Sequence, residues 1–260
     1  MESLWVAKTG LDAQQTRMTV VSNNLANVNT NGFKRGRAIF EDLLYQNLSQ
    51  VGGATSQDTE QPTGLNLGTG VRVVATEKSF TQGTTVNTGN PLDMMISGRG
   101  FFQVLLPDGT EAYTRDGSFK IDSEGRLVTA SGYEVQPSLT IPNGVTSITI
   151  ATDGLIQATV TGQVDPVTLG QMQIADFINP AGLQPRGQNL LVETAASGTP
   201  QLGNPALEGR GEIVQGAVEG SNVNVVEELV GMIETQRAYE MASKAISTSE
   251  QMLQYLNNNL

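Results

Sequence analysis

Asn224-Val225-Val226-Glu227-Glu228-Leu229-Val230-Gly231-Met232-Ile233-Glu234-Thr235-Gln236-Arg237-Ala238-Tyr239 opens the last stretch of the chain, and its spacing decides the fold. Asn224 followed three residues later by Glu227 reads as a capping box, in which the two side chains satisfy the first free N–H groups of a helix. From there a seam runs in steps of three and four through Val225, Leu229, Met232, Gln236, Tyr239, Ser243, Ile246, Glu250, Leu253, Asn257 and Leu260. That is the period of a stripe on an α-helix. A second row, about 100° around the helix, runs through Gly231, Thr235, Ala238, Ala242, Ala245, Ser249, Met252 and Leu256. The small residues at its centre permit close backbone approach, and a helix with two contact faces needs more than one neighbour.

The start of the chain has the same character. Leu4, Ala7, Leu11, Gln14, Met18, Val21, Leu25 and Val28 form a heptad seam broken only by Gln14. The helix should stop near Asn29–Gly32, where Asn and Gly tolerate left-handed backbone, after roughly 40 Å. Between the two ends lies a β-rich middle. Phe101–Leu106 leads into Pro107-Asp108-Gly109, Phe119–Ile121 into Asp122-Ser123-Glu124-Gly125, and Ile148–Ile150 through Asp153-Gly154 into Leu155-Ile156. Asp-Gly between apolar runs is a hairpin signal, and regular hairpins without helical spacing imply antiparallel sheet. Residues 46–70 hold five Gly, one Pro and no Lys or Arg, which reads as an extended arm or long hairpin.

The expected fold is therefore α+β, with the N- and C-terminal helices paired as an antiparallel coiled coil, an extended connecting arm, and a central antiparallel all-β domain. The expected parts are an N-terminal helix at 1–30, a connecting segment and arm at 31–70, a β-rich domain at 71–215, a return connector at 216–224 and a C-terminal helix at 225–260.

Composition narrows the function. The 260 residues are 38% hydrophobic and only 16% charged, with a net charge of -11. An acidic chain lacks the basic stripe nucleic acid needs, and Lys34, Arg35 and Arg37 read as a solvated turn after a helix. Without Cys or His the chain has no thiolate, no disulfide and neither the commonest metal ligand nor the commonest neutral-pH base. Gly98-Arg99-Gly100 lacks the third glycine of a dinucleotide fingerprint and precedes a strand, not a helix. Asp122, Glu124 and Asp153 fit turns and not a calcium loop. Ser97 and Ser118 have no local context for nucleophilic catalysis. We expect no catalytic, cofactor-binding or metal-ligating residues. No run approaches the ~18 apolar residues of a membrane span, and Met1–Lys8 lacks the basic start and apolar core of a cleavable signal. Membrane insertion is not expected, and export would use a route that reads no such signal.

Long strings at both ends resemble the flagellar axial-protein family of rod and hook subunits. They are Asn23-Asn24-Leu25-Ala26-Asn27-Val28-Asn29-Thr30-Asn31-Gly32-Phe33-Lys34-Arg35 and Ser221-Asn222-Val223-Asn224-Val225-Val226-Glu227-Glu228-Leu229-Val230, then Gln236-Arg237-Ala238-Tyr239-Glu240. Ser3–Gln15, Phe40–Gln46, Gly100–Val104 and Tyr113–Phe119 extend the likeness to a distal-rod member over nearly the whole chain. The family-motif positions are Asn23, Asn24, Ala26, Asn27, Thr30, Gly32, Phe33, Lys34, Ser221, Asn222, Val223, Gln236, Arg237, Tyr239 and Glu240.

The resemblance implies terminal helices lining a hollow tube, an outward β domain, and an arm that stiffens the rod. It implies export unfolded through the flagellar type III apparatus and a rod spanning the periplasm inside the P and L rings. Proximal rod proteins would sit at one end of this homo-oligomeric helical tube and hook protein at the other. Subunit contacts are expected at Leu4, Leu11, Met18, Val21, Leu25, Val28, Val225, Leu229, Met232, Gln236, Tyr239, Ala242, Ala245, Ile246, Met252 and Leu253. Leu25→Asp or Ile246→Asp should then block assembly and spare the β domain. The competing readings are a proximal rod or hook protein, a secreted cell-wall hydrolase with two carboxylates, and a membrane-surface binder, which Lys8 and Arg17 alone hardly support.

Overall fold

The computed structural model describes residues 2–49, 54–56, 59–60, 63–162 and 165–258. They form two compact units, each built from separated stretches of chain: residues 1–26, 36–77 and 224–260 in the first, and 27–35 and 78–223 in the second.

The first unit holds two helices, α1 (Glu2–Ala26) and α2 (Val225–Asn258). Asn224 caps α2 as its position predicts: its side-chain oxygen accepts from Val226 N–H at 3.0 Å and its carbonyl from Glu228 N–H at 3.0 Å. The helices run antiparallel, with Asn24 bonded to Glu228 at 3.2 Å and Arg17 3.7 Å from Glu234.

They do not pair as the expected coiled coil. A coiled coil would bury the large residues of the α2 seam, yet Val225, Leu229, Gln236 and Tyr239 are exposed. α2 instead turns its small-residue row inward: Thr235 is fully buried, and Gly231, Ala238, Ala242 and Ser249 are half-buried. The reason is close approach. Small side chains let the helices pack through polar and short contacts, and the Thr235 hydroxyl is satisfied within α2 by donating to Gly231 C=O at 2.6 Å. α1 also packs against a β-hairpin as well as against α2, so it buries a wider arc than a two-helix seam requires.

That hairpin stands in place of the extended connecting arm of the expected fold and is the long hairpin that the composition of 46–70 also allowed. Strand β1 (Gly36–Asp42) pairs with β6 (Val71–Lys78), β2 (Gln46–Ser49) with β5 (Leu65–Leu67), and β3 (Ala54–Ser56) with β4 (Thr59–Glu60). The three ladders nest, so the segment folds back upon itself. Arg37–Glu77 and Arg72–Glu41, the latter at 2.9 Å, bridge the first ladder. The Thr9 hydroxyl accepts from Val71 N–H at 3.3 Å and ties the hairpin to α1. Residues 50–53, 57–58 and 61–62 of the expected arm lie outside the described residues.

The second unit is the β body. Its first and last strands close it, β7 (Thr85–Asn87) on β22 (Ala217–Glu219) and β8 (Met94–Ser97) on β21 (Glu212–Gln215). Between them come β9 (Phe101–Leu105), β10 (Glu111–Thr114), β11 (Lys120–Ile121), β12 (Leu127–Val128), β13 (Glu134–Gln136), β14 (Val145–Ile150), β15 (Leu155–Val160), β16 (Val167–Gln171), β17 (Ile174–Asp176), β18 (Gln184–Gly187), β19 (Leu190–Val192) and β20 (Gln201–Gly203). Nine strands form one sheet along the path β11-β12-β13-β9-β10-β19-β18, with β17 joined to β9 and β20, while β14-β15-β16 form another.

The Asp-Gly readings hold at Asp108, Asp122 and Asp153. Each marks the turn between consecutive antiparallel strands: β9–β10, β11–β12 and β14–β15. The core contains Met94, Ile96, Phe102, Phe119, Met172 and Ile174. A second cluster gathers Phe101, Tyr113 and Phe177 edge to face, with Phe101–Phe177 centroids 5.8 Å apart and Tyr113–Phe177 4.8 Å apart.

Candidate assembly surfaces

The family-motif residues divide between two jobs, and the first is internal. Asn24, at the end of α1, closes both backbone groups of Gly36: its amide donates to Gly36 C=O at 2.8 Å and its oxygen accepts from Gly36 N–H at 2.8 Å. The same amide reaches Glu228. An Asn suits this site because its amide offers a donor and an acceptor side by side without a charge.

Beyond α1 the chain turns through Asn27–Gly32. The Thr30 hydroxyl donates to the Asn27 side chain at 3.1 Å. Gly32 has φ +68, and a Cβ there would lie 2.6 Å from Asp116 N, so glycine is required on both counts. Its N–H donates to Glu219 C=O at 2.7 Å.

Lys34 then enters the second unit with 3% of its surface exposed, which overturns its reading as part of a solvated turn. Its ammonium lies 2.6 Å from Glu219, which is 0% exposed, and 2.8 Å from Thr81 C=O. Arg115 meets the other Glu219 oxygen at 3.3 Å, donates to Gly98 C=O at 2.7 Å, and covers the Phe101 ring at 5.2 Å. Gly83 N–H adds a bond to Glu219 at 2.8 Å. Burial pulls the Lys34 pKa below the ordinary lysine value, and Glu219 offsets part of that. One carboxylate thus sits between two cations, and it is fully hydrogen-bonded, as a buried charge must be.

Asn222 extends this cluster within the second unit by accepting from Arg35 N–H at 2.7 Å and donating to Ser79 C=O at 2.9 Å and Thr81 C=O at 3.1 Å. Phe33, Ser221 and Val223 are buried beside it. Lys34 and Glu219 are 185 residues apart, and nothing in the local sequence pairs them.

The second job is surface. Gln236, Arg237, Tyr239 and Glu240 are exposed on α2, and Asn23 and Ala26 are exposed on α1. Of the expected contact residues, Val21 is buried, while Leu4, Leu11, Met18, Leu25, Val28, Met232, Ala242 and Ile246 are half-buried. Val225, Leu229, Gln236, Tyr239, Ala245 and Met252 are exposed, and the Leu253 side chain lies outside those described.

Sequence reading missed the larger exposed set. Val226, Val230, Ile233 and Tyr255 lie on α2 away from the small-residue row, and the exposed Met241 borders that row. Leu44, Tyr45, Leu48, Leu65 and Leu67 are exposed on the hairpin, with Leu44 at 90%. A third stripe on α2 was legible in the spacing of 226, 230 and 233, but the first two rows masked it. Among the described residues, Ala13 and Val21 are the only fully buried apolar side chains of the first unit. Also among the described residues, no group of His, Cys, Asp and Glu is placed to hold a metal, and no helix is long and apolar enough to cross a membrane.

Residues 4–34 match the flagella basal body rod protein family, 95–158 the flagellar hook protein FlgE/F/G D1 domain, and 214–259 the flagellar basal body rod FlgEFG protein C-terminal family. These matches define the class: axial proteins of the flagellar rod and hook. A flagellar basal-body rod protein FlgG of Buchnera aphidicola (subsp. Acyrthosiphon pisum) is 57% identical over 98% of both chains. That of Borreliella burgdorferi is 48% identical over 99% of this chain and 98% of its own. A flagellar hook protein FlgE of Helicobacter mustelae is 43% identical, but over 52% of this chain and 30% of its own. The chain belongs to the family of flagellar basal-body rod protein FlgG.

Proposed function

We propose that this chain is a structural subunit of the flagellar distal rod, which polymerises into a rigid hollow shaft carrying torque from motor to hook. One observation carries the reading. The helices and hairpin of the first unit bury few apolar side chains and expose many, from Trp5 and Leu44 to Ile233 and Tyr255. Soluble monomers rarely leave so many large apolar side chains open on one small unit, and copies of the same chain are their natural cover. A head-to-tail contact that does not close on itself yields a helical filament.

The family is one of structural rod subunits and not an enzyme class. In this reading the protein resides in the basal body with other axial proteins. Its rod spans the periplasm, with proximal rod proteins at one end, hook protein at the other and the P and L rings around it. The terminal helices form the tube wall, and export proceeds without a cleavable signal. The rod is favoured over the hook because rod relatives match along their whole length, whereas the hook relative is matched over a minor part of its own.

Negative-stain microscopy of the purified chain at rising concentration tests the proposal. Filaments or short tubes are expected. A chain that stays monomeric at every concentration and releases sugar from peptidoglycan would replace the rod with a hydrolase.

A further inference from the structure

Between the first turns of α1 and the root of the hairpin lies a groove of about 640 Å³, lined by Leu4, Trp5, Val6, Lys8, Leu67 and Thr69. Its walls are mostly apolar, and Trp5 stands 55% exposed within it. Gln46 also lines it, but its other polar groups are engaged: the Thr69 hydroxyl donates to Leu44 C=O at 2.7 Å, and the Lys8 ammonium sits 5.6 Å above the Trp5 ring. A small-molecule site would aim several polar groups at its ligand, and this groove does not.

We infer that the groove receives α2 of a second copy, through Val226, Leu229, Val230 and Ile233. This inference rests on the rod reading and names the contact that builds the rod. The four residues fall at i, i+3, i+4 and i+7, the anchor spacing of a helix laid in an apolar groove. All four are exposed, and their stripe points away from the buried Glu228 and Thr235 that meet α1, so the chain's own fold leaves them uncovered. Charge agrees in sum: the groove carries Lys8 and no acid among its lining residues, while the exposed Glu227 borders the stripe and Glu240 continues it against the one cation Arg237. Groove and stripe are different surfaces of the same unit. Each copy therefore offers one to the copy before it and the other to the copy after it, and the chain of contacts stays open.

The sequence supplies its own reporter, with one Trp and no Cys. On assembly, Trp5 emission should shift to the blue and lose access to added acrylamide. Chains carrying Gln46→Cys, mixed with chains carrying Ile233→Cys, should be joined by a bismaleimide, and neither variant should be joined alone. Ile233→Asp, at a surface position, should keep the helical circular dichroism of the parent while abolishing the shift and assembly together. Tubes whose Trp5 stays as accessible as in the monomer, or that give no mixed cross-link, would overturn the docking and leave the rod standing. Absence of any tubes would remove both.

Discussion

At the scale of single residues, the charged cluster of the second unit rests on groups that sequence alone could name but not place. Glu219 lies between Lys34 and Arg115, so its loss strands two cations, whereas loss of Lys34 leaves a balanced pair. Glu219→Gln should therefore cost about 3–5 kcal/mol of unfolding free energy, and Lys34→Met distinctly less. Urea titration of the two variants reads this, and the reverse order would show that the triad is not what stabilises the site. Asn24→Asp is a nearly isosteric test of the other clamp. It replaces the donor facing Gly36 C=O and Glu228 with a second carboxylate, in a site that excludes water. A loss of about 2–4 kcal/mol follows from an unmet buried acceptor and like charges, and a variant as stable as the parent would mean the clamp opens freely. The motif strings around Asn24, Gly32, Lys34 and Asn222 were readable as a family mark. Their partners were not, because Glu219 and Thr81 reach them only through the fold.

At the scale of elements, the same helix shows what periodicity can and cannot tell. Apolar spacing and the Asn224 cap located the start of α2, and the turn residues at Asp108, Asp122 and Asp153 located three hairpins. Spacing could not say which of two stripes faces inward, because size and polarity trade against each other at a helix contact. Leu229 and Tyr239 are the more hydrophobic, yet Thr235 and Ala238 allow the closer approach and win the interior position. Ala242→Leu should accordingly overpack the helix pair and lower the thermal midpoint of α1 and α2 unfolding, by an energy of about 1–3 kcal/mol. Val230→Ser, on the exposed stripe, should leave that midpoint within the small range of a surface change, about 0.5 kcal/mol. Equal losses would mean that both faces are used within one chain. The same geometry alters the expected behaviour of Leu25→Asp and Ile246→Asp. Both side chains are half-buried within the first unit, so each change would loosen the helix pair itself as well as any contact between copies. The hairpin's course was less legible still, since β2 and β5 are short, exposed and carry no alternating pattern.

At the scale of the whole molecule, the two units should differ in how they hold together before assembly. The β body buries complete aromatic and aliphatic side chains in two clusters, including Phe101, Phe102, Tyr113 and Phe177. At about 1.5–3 kcal/mol for each large apolar side chain removed from water, that is a gain the first unit does not match. The helices and hairpin fully bury Ala13 and Val21 among the described residues, a fraction of that gain. Local stability follows such buried contacts, so the first unit should open far more often than the second in the free chain. Trypsin reports the difference directly. Lys8, Arg17, Arg237 and Lys244 are exposed on the helices, while Lys34 and Arg115 are buried in the second unit. A brief digest of the monomer should remove both ends first and leave a resistant fragment carrying the β body, and assembled material should keep its ends, because neighbouring copies supply the missing burial. A monomer whose helices resist cleavage as long as the body does would mean that one chain already satisfies its own ends. The drive to polymerise would then have to come from elsewhere on the surface.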